Sequence, residues 1–254
     1  MKVVVVYATA RRGSTYHVST MLLDMLSATE QLEIEQIRLP REAPDFCTGC
    51  YLCFNEGGER CPHVDTMEPI EEKLHAADLI VLCSPVYAGG VAGQLKTVFD
   101  HLSYSELMHK PHPSMFSKVV VSIVLSAGKG HRTTARYIAR CFADLGISSV
   151  FAITGPVAAD SWAKVTDKRR DMLTRRADDL VPRIVAAVRS PKVSMRTKFF
   201  FHLSRWSIKK WGWNESDVSY WQRQGWLGSG RPWKQVAEVE SWQGAPLEGG
   251  LTTG

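Results

Sequence analysis

The chain has 254 residues, 44% of them hydrophobic and 22% charged, so it is long and apolar enough for one sizeable core with an extension. The formal net charge of +5 is uneven, because residues 164–234 hold 17 Lys and Arg against 6 Asp and Glu. The apolar start is too short for a signal peptide, and no apolar run is long enough to span a bilayer. We therefore expect a cytoplasmic protein without a transmembrane segment.

The first predicted elements are a strand, a small polar loop and a helix. Residues 2–8 form a continuous β-branched run, typical of a strand buried on both faces of a parallel sheet. Apolar residues then recur with helical spacing over 14–26. The loop between them offers hydroxyls, a guanidinium and the amides of a helix start, which favour a phosphate site, although Ser and Thr also cap helices without binding anything. The candidate phosphate residues are Thr9, Arg11, Gly13, Ser14 and Thr15.

After an outer strand predicted at 32–39, residues 45–62 hold four of the six cysteines. Cys47, Cys50 and Cys53 stand at intervals of three, and Cys61 follows a Gly-containing gap. Three thiolates at this spacing can converge on the corners of one iron–sulfur cube, with the fourth coming from beyond a flexible connection. Two alternatives stay open: structural zinc, which usually takes two separated Cys-x2-Cys pairs, and thiols that are metal-free or redox-active.

Two later strands also open into loops of small residues. Five strands that alternate with helices predict a doubly wound α/β sheet, and ligands of such sheets bind beyond the carboxyl ends of the strands. Plain strand-to-helix turns would use the same residue types. The remaining predicted elements are helices at 67–77, 94–104 and 133–145 and strands at 79–85, 118–125 and 147–154. The candidate residues in the two loops are Ser84, Pro85, Val86, Tyr87, Ala88 and Gly89 after the first of these strands, and Ser126, Ala127 and Gly128 after the second.

Several residues are expected to have structural roles. Cys83 and Cys141 lie in apolar stretches and are predicted to be buried thiols without chemistry. The histidines of the connection at 108–117 are predicted to line a surface loop. A helical pattern runs over 162–189, and Pro182 is expected to kink it or to begin a separate segment.

Residues 191–254 are predicted to form a basic, aromatic extension to a domain at 1–190, since 196–242 hold seven of the eight tryptophans. Phe199, Leu203 and Trp206 share one face of a segment rich in Lys and Arg. Such a segment can lie on an anionic membrane surface or stack on nucleic acid. We expect it instead to pack on its own domain or on a second subunit. The stretch 220–233 has no clear period and predicts an irregular arm.

The loops and the cysteine run together resemble the iron–sulfur flavoproteins, a branch of the NADPH-dependent FMN reductase family, over residues 1–190. ATARRGSTY stands where that family usually reads GSPRKNGNT, and SPVYAGGVAGQLKTVFDHL resembles its SPVYWGG segment. DVSYWQRQGWL is similar to the extension of many cluster-type members. Ala88 stands where an aromatic residue is common and His101 where Arg is common, while the gap before Cys61 is long for the family.

The resemblance implies a flavodoxin-like, five-stranded parallel sheet in the order 2-1-3-4-5, with FMN held at its carboxyl edge by the candidate residues of the three loops. It further implies a [4Fe–4S] cluster on Cys47, Cys50, Cys53 and Cys61. The implied activity is that of a flavin-dependent oxidoreductase, with NAD(P)H as a candidate donor and a small-molecule or ferredoxin-like redox partner. It also implies a homodimer or homotetramer, and we do not expect nucleic-acid binding. The alternatives are an NAD(P)H-dependent FMN or quinone reductase without a cluster, and a nonenzymatic electron carrier or flavin-dependent regulator.

Overall fold

A computed structural model describes residues 1–235, so residues 236–254 of the predicted extension lie outside the described residues. Five strands form one sheet in the order β2-β1-β3-β4-β5, and every neighbouring pair is parallel. This confirms the predicted fold class and strand order. The strand order reverses between β1 and β3, which places the switch point of the sheet there. The strands are β1 (Lys2–Tyr7), β2 (Glu33–Arg38), β3 (Leu79–Pro85), β4 (Val119–Ser126) and β5 (Ser149–Pro156).

Helices cover both faces of the sheet. Successive side chains of a strand point to opposite faces, so Val3 and Val5 enter one core with α1 and α7, whereas Val4 and Val6 enter another with α4, α5 and α6. Only Ile37 of β2 is fully buried, as expected for an outer strand. The helices are α1 (Ser14–Ser27), α2 (Leu39–Glu42), α3 (Leu52–Asn55), α4 (Val64–Ala76), α5 (Gly93–His101), α6 (His131–Asp144), α7 (Asp167–Arg189), α8 (Met195–Trp211), α9 (Glu215–Arg223) and α10 (Pro232–Gln235).

The helix α7 differs from its prediction at its start and at Pro182. It begins at Asp167, after a short 3-10 helix at Trp162–Lys164, and it continues through Pro182 without a break. The prediction that Pro182 begins a separate segment was wrong. Proline removes one backbone hydrogen bond, but burial of Leu173, Ala177 and Ile184 on the sheet side of α7 holds the helix together.

The extension packs on the domain through a small aromatic core. Phe201, Trp221 and Trp226 are fully buried, and they share this core with Phe116, which precedes β4. The stretch predicted to be irregular begins inside α9 and ends inside α10, so that prediction was wrong at both of its ends. The division into a domain at 1–190 and an extension at 191–254 stays a prediction.

The predicted packing face of α8 points away from the described part of the chain. Phe199, Leu203 and Trp206 are 63%, 41% and 48% exposed, while Phe201 on the same helix is 0% exposed. The helix therefore packs on its own chain through Phe201, as expected, while packing of the other face on a second subunit stays a prediction. Within residues 1–235, no helix is long and apolar enough to cross a membrane.

The histidines of the 108–117 connection are partly buried and make specific contacts, so they are not free side chains on the surface. His112 stacks on His75 with ring centroids 3.7 Å apart, and His109 Nδ1 lies 2.8 Å from Asp217 Oδ2. Burial is the main reason that the pKa of His75 falls to about 3 and the pKa of His112 to about 4. Both rings are therefore neutral across the physiological range.

Acidification is expected to destabilise the protein through these two rings. Unfolded histidine takes up a proton near pH 6.5, so stability present above pH 6.5 is lost as the pH falls towards 4, by about 1.4 kcal/mol per pH unit for each ring. Denaturant unfolding between pH 7 and 5 measures this slope, and His75→Gln should reduce it. Glu71 acts in the opposite sense, because burial raises its pKa to about 6, so a Glu71→Gln background removes this opposing contribution. An unchanged slope in His75→Gln would contradict the expectation.

Candidate flavin and cysteine sites

The loops that follow β1, β3 and β4 lie together at the carboxyl edge of the sheet, as predicted. The loop after β3 is tied to the end of β4 because the Val86 amide donates to the Leu125 carbonyl at 3.0 Å. Thr134 Oγ1 lies 3.4 Å from the Gly89 carbonyl oxygen, which joins the start of α6 to the same loop. Gly130 has a φ of +93°, and a Cβ there would lie 3.0 Å from a Val86 methyl carbon, so a side chain is poorly tolerated.

The loop after β1 presents the features of a phosphate site. The helix α1 starts at Ser14, and no side chain caps it: its N-cap residue is Gly13, and its first turn has no acidic residue. Its first amides are therefore free to donate to an anion, and the helix dipole favours negative charge there. Thr15 is buried, whereas Thr9 and Ser14 are partly buried and Arg11 is exposed.

One side of this loop comes from a segment that sequence reasoning missed. Arg11, Arg12 and Gly13 line a cavity of about 630 Å³ together with His17, Arg170 and residues 161–163. Trp162 stacks on the His17 ring at 5.3 Å, and the Arg170 guanidinium lies over the Trp162 ring. These contacts bring the segment between β5 and α7 across to the start of α1. The helical pattern at 162–189 concealed this segment, because its first residues were assigned to the helix.

The loop after β3 ends in a tight turn. Tyr87 and Gly90 exchange backbone hydrogen bonds of 3.0 and 2.9 Å, and the two residues between them have positive φ, +48° at Ala88 and +79° at Gly89. Two positive φ angles in succession are typical of a type I′ turn. Tyr87, the first residue of this turn, is 55% exposed. Ser84 is fully buried and its hydroxyl donates to the Pro85 carbonyl, so its place is in the base of the loop.

The loop after β4 combines one buried and two exposed candidates. Ser126 is buried, and its hydroxyl lies 3.0 Å from Nδ1 of His131, a residue that the sequence did not single out. Ala127 and Gly128 are exposed. Burial, assisted by the nearby charges of Arg132 and Arg176, lowers the pKa of His131.

The four predicted cysteine ligands come together at one cavity. Cys47, Cys50, Cys53 and Cys61 line a space of about 350 Å³, and all four are free thiols. The turns between them use left-handed backbone at Gly49 and Tyr51, with φ of +66° and +62°. Burial, and next the proximity of Cys61, raise the pKa of the Cys53 thiol. Of the other two cysteines, Cys83 is buried as predicted and Cys141 is partly buried.

The four thiols line one space rather than meet at one point. Within residues 1–235, no three Cys, His, Asp or Glu side chains stand close enough to share one metal ion. A cube takes one thiolate at each of four separate corners, so its ligands need only line a common space.

Two histidines that line the same space have unmet hydrogen-bonding capacity. Nε2 of His63 and Nε2 of His101 are buried and have no hydrogen-bond partner among the described residues. His101 is only 4% exposed, and its Nδ1 lies 2.9 Å from the Thr97 carbonyl oxygen. Buried polar atoms without partners are costly, so this space suits an occupant that can accept or donate hydrogen bonds.

A family profile described as NADPH-dependent FMN reductase matches residues 1–163, which contain all five strands, the three loops and the four cysteines. The chain belongs to this family. An iron-sulfur flavoprotein of Methanocaldococcus jannaschii is 44% identical over 73 residues, 29% of this chain and 37% of that protein. An iron-sulfur flavoprotein of Archaeoglobus fulgidus is 31% identical over 119 residues, 46% of this chain and 51% of that protein. The chain thus spans about half or less of these relatives.

Among solved structures, an azoreductase of Bacillus anthracis has the same fold, with a TM-score of 0.57 at 14% identity. The alignment covers 72% of this chain and 98% of that one. At this identity the likeness supports the fold alone. The predicted membership of the FMN reductase family is therefore confirmed by the profile, and the flavodoxin-like sheet by the structure.

Proposed function

We propose that this protein is an FMN-dependent oxidoreductase of the iron–sulfur flavoprotein type, which passes electrons between FMN, a [4Fe–4S] cluster and a small-molecule or ferredoxin-like redox partner. The observation that carries the proposal is the convergence of four free thiols on one cavity in a chain of the FMN reductase family. The names of the two curated relatives support it over the matched lengths.

In this proposal the loop after β1 binds the FMN phosphate. Uncapped amides of α1 and the hydroxyls donate to the phosphate oxygens, and the guanidinium neutralises charge. Arg12 and Arg170 line the same cavity and add two further positive charges. The phosphate residues are Thr9, Arg11, Gly13, Ser14 and Thr15.

The loops after β3 and β4 bind the flavin ring in this proposal. Bound FMN supplies the chemistry, because it accepts two electrons as a hydride and releases them singly. The role of the chain is to orient the ring with backbone amides and with Tyr87 and to exclude water from it. Ala88 presents only a methyl group where relatives often have an aromatic ring, which leaves more room for a substrate. The ring residues are Ser84, Pro85, Val86, Tyr87, Ala88 and Gly89 on one side, and Ser126, Ala127 and Gly128 on the other.

The same proposal extends to the electron donor, the oligomeric state and the cellular location of the protein. NAD(P)H is the proposed electron donor, since the family profile is that of NADPH-dependent reductases. We further propose a cytoplasmic homodimer or homotetramer.

Replacing Gly89 with alanine is expected to weaken FMN binding about tenfold. The residue has a φ of +79°, and left-handed backbone costs a residue with a side chain about 1–2 kcal/mol, so the turn rearranges. Fluorescence titration of the apoprotein with FMN measures the effect. Gly93→Ala is the matched control, since that glycine has no positive φ and nothing within 4 Å of a built Cβ. Equal affinities of the two variants would contradict the assignment of the turn to the flavin.

Anaerobic purification followed by flavin, iron and sulfide analysis tests the proposed function. We expect about one FMN, four iron and four sulfide per chain, and reduction of the flavin by NADPH. FMN without iron, even after reconstitution with iron and sulfide, would leave a flavin or quinone reductase without a cluster. A cluster with FMN that NAD(P)H fails to reduce would favour an electron carrier or a flavin-dependent regulator.

A further inference from the structure

The C-terminal extension reaches the cysteine site through a buried ion pair. Lys110 Nζ donates to Asp217 Oδ1 at 2.8 Å, and both side chains are 7% exposed. The same ammonium group donates to the Phe54 carbonyl at 2.6 Å and lies 3.5 Å from the Cys53 carbonyl oxygen. Asn214 Nδ2 also donates to the Phe54 carbonyl, at 2.9 Å. Two distant segments therefore hold the backbone of α3, the helix that contains Cys53.

The helix α3 needs such support because it is only four residues long. A helix of this length is not stable alone, and its last carbonyls have no partner within the helix. The ammonium of Lys110 and the amide of Asn214 satisfy the Phe54 carbonyl, and a cation is favoured at a helix C-terminus. Asp217 in turn holds the ammonium, while its other oxygen contacts His109, whose ring packs edge-on against Phe54.

We propose that Lys110, Asp217 and Asn214 are positioning residues for Cys53, so that the C-terminal extension is an integral part of the cysteine site. The inference rests on the proposed function in that it assigns Cys53 to a cluster. The positioning role itself does not depend on a cluster. When these contacts are removed, α3 opens and Cys53 leaves the common cavity.

Two variants distinguish a positioning role for Cys53 from an effect on the overall stability of the protein. The double variant Lys110→Met with Asp217→Leu replaces the ion pair by apolar side chains, which is often neutral for stability, and removes the donor to α3. Asn214→Asp keeps the side-chain oxygen that caps α9, where it accepts from the amides of Ser216 and Asp217, but it replaces the donating amide by a carboxylate. Asp160→Asn is the control, since it alters an exposed ion pair, with Lys164, outside the residues that line the cysteine cavity.

The readout is the alkylation rate of each cysteine in iron-free protein, measured by peptide mapping, beside the iron content after reconstitution. We expect Cys53 to react about tenfold faster in both variants, with Cys141 and the unfolding midpoint unchanged, and iron content to fall. Unchanged Cys53 rates would overturn the inference, and so would equal acceleration of Cys141 with a lowered midpoint. Wild-type protein that never binds iron would refute the cluster, while the thiol rates would still decide the positioning role.

A different observation, the outer face of α8, carries a second inference. Met195, Phe199, Leu203 and Trp206 recur at helical spacing and are 41–79% exposed, which makes a continuous apolar stripe. Beyond the helix end Trp213 is 81% exposed and stacks on Trp211. An exposed apolar stripe of this length indicates an interaction surface.

The charge of α8 selects the kind of partner. Its 17 residues include five Lys and Arg and no Asp or Glu. A symmetric contact with a second copy over this face would bring the same positive charges together, which is unfavourable. A bilayer with anionic headgroups satisfies both features, because it takes up apolar side chains and attracts the flanking basic groups. The ammonium of Lys210 lies over both Trp206 and Trp211, beside the stripe.

We propose that this face of α8 binds the surface of an anionic membrane. Cosedimentation of the full chain with vesicles tests it, using phosphatidylcholine alone and mixed with phosphatidylglycerol. We expect binding to the anionic vesicles only, loss of binding at high salt, and at least about tenfold weaker binding for Phe199→Ser with Trp206→Ser. Tyr137→Ser, at another exposed aromatic residue, is the control.

Two results would overturn this second inference. One is failure of the full chain to bind anionic vesicles. Binding that appears only after removal of residues 236–254 counts as such a failure, because that acidic segment contains three glutamates and no Lys or Arg. The other is conversion of a lipid-free dimer into a monomer by Phe199→Ser with Trp206→Ser, measured by light scattering. That result would assign the stripe to a subunit contact.

Discussion

Replacing Cys50 with alanine is expected to remove iron and sulfide from the anaerobically purified protein and to leave its FMN. Cys50 lies between the two left-handed residues of the cysteine turn and faces the cavity that all four thiols line. A cube that loses one of four protein ligands from an exposed loop is open to solvent at that corner and to loss of iron. We expect the iron content to fall from about four per chain to near zero.

Cys141→Ala is the matched control for this experiment. Cys141 is also a free thiol, but it is partly buried and lies on α6, outside the cysteine cavity. Iron, sulfide, FMN and the visible spectrum should all match the wild type. Iron that persists in Cys50→Ala, or equal loss in Cys141→Ala, would refute the proposed ligand set.

Replacing Phe201 with alanine is expected to lower the free energy of unfolding by about 3–5 kcal/mol, the usual cost of removing a buried aromatic side chain. Phe201 is 0% exposed. Its ring stacks on Trp221 at 4.9 Å and meets the edges of Phe116 and Trp226. Equilibrium denaturation measures the change. Because Phe116 precedes β4, we expect the extension and the sheet to unfold in one transition.

Phe199→Ala is the control within the same helix. Phe199 is 63% exposed, and substitutions at such positions usually change stability by no more than about 0.5 kcal/mol. Two separate transitions, with Phe201→Ala shifting only the smaller one, would contradict a shared core. That outcome would instead favour an extension that folds independently of residues 1–190.

The strands were predictable because their signals are local. Runs such as residues 2–8 and 118–125 are apolar and β-branched without a break, and only a sheet covered on both faces buries such runs completely. The loops after these strands were predictable for the same reason, since small residues follow each run directly. Strand order was not contained in these patterns; it came from the resemblance to a family.

The cysteine site was predictable in part. Its four thiols lie within 15 residues of sequence, and their spacing alone indicated that they share one site. Three residues that hold α3 lie 56 to 160 residues from the atoms they contact, and single polar residues carry no periodic signal; they are Lys110, Asn214 and Asp217. Trp162 was missed as a site residue because the helical pattern at 162–189 includes it.

The sequence by itself determined which segments form the five strands and which thiols line one cavity, because periodicity and spacing act over a few residues. The tertiary structure alone decided which face of α8 is buried. That helix has aromatic residues on opposite sides, Phe199 and Trp206 on one and Phe201 on the other, so the apolar pattern does not choose between them. Phe201 is surrounded by Phe116, Trp221 and Trp226. The face that carries Phe201 is therefore buried because its packing partners come from other parts of the chain.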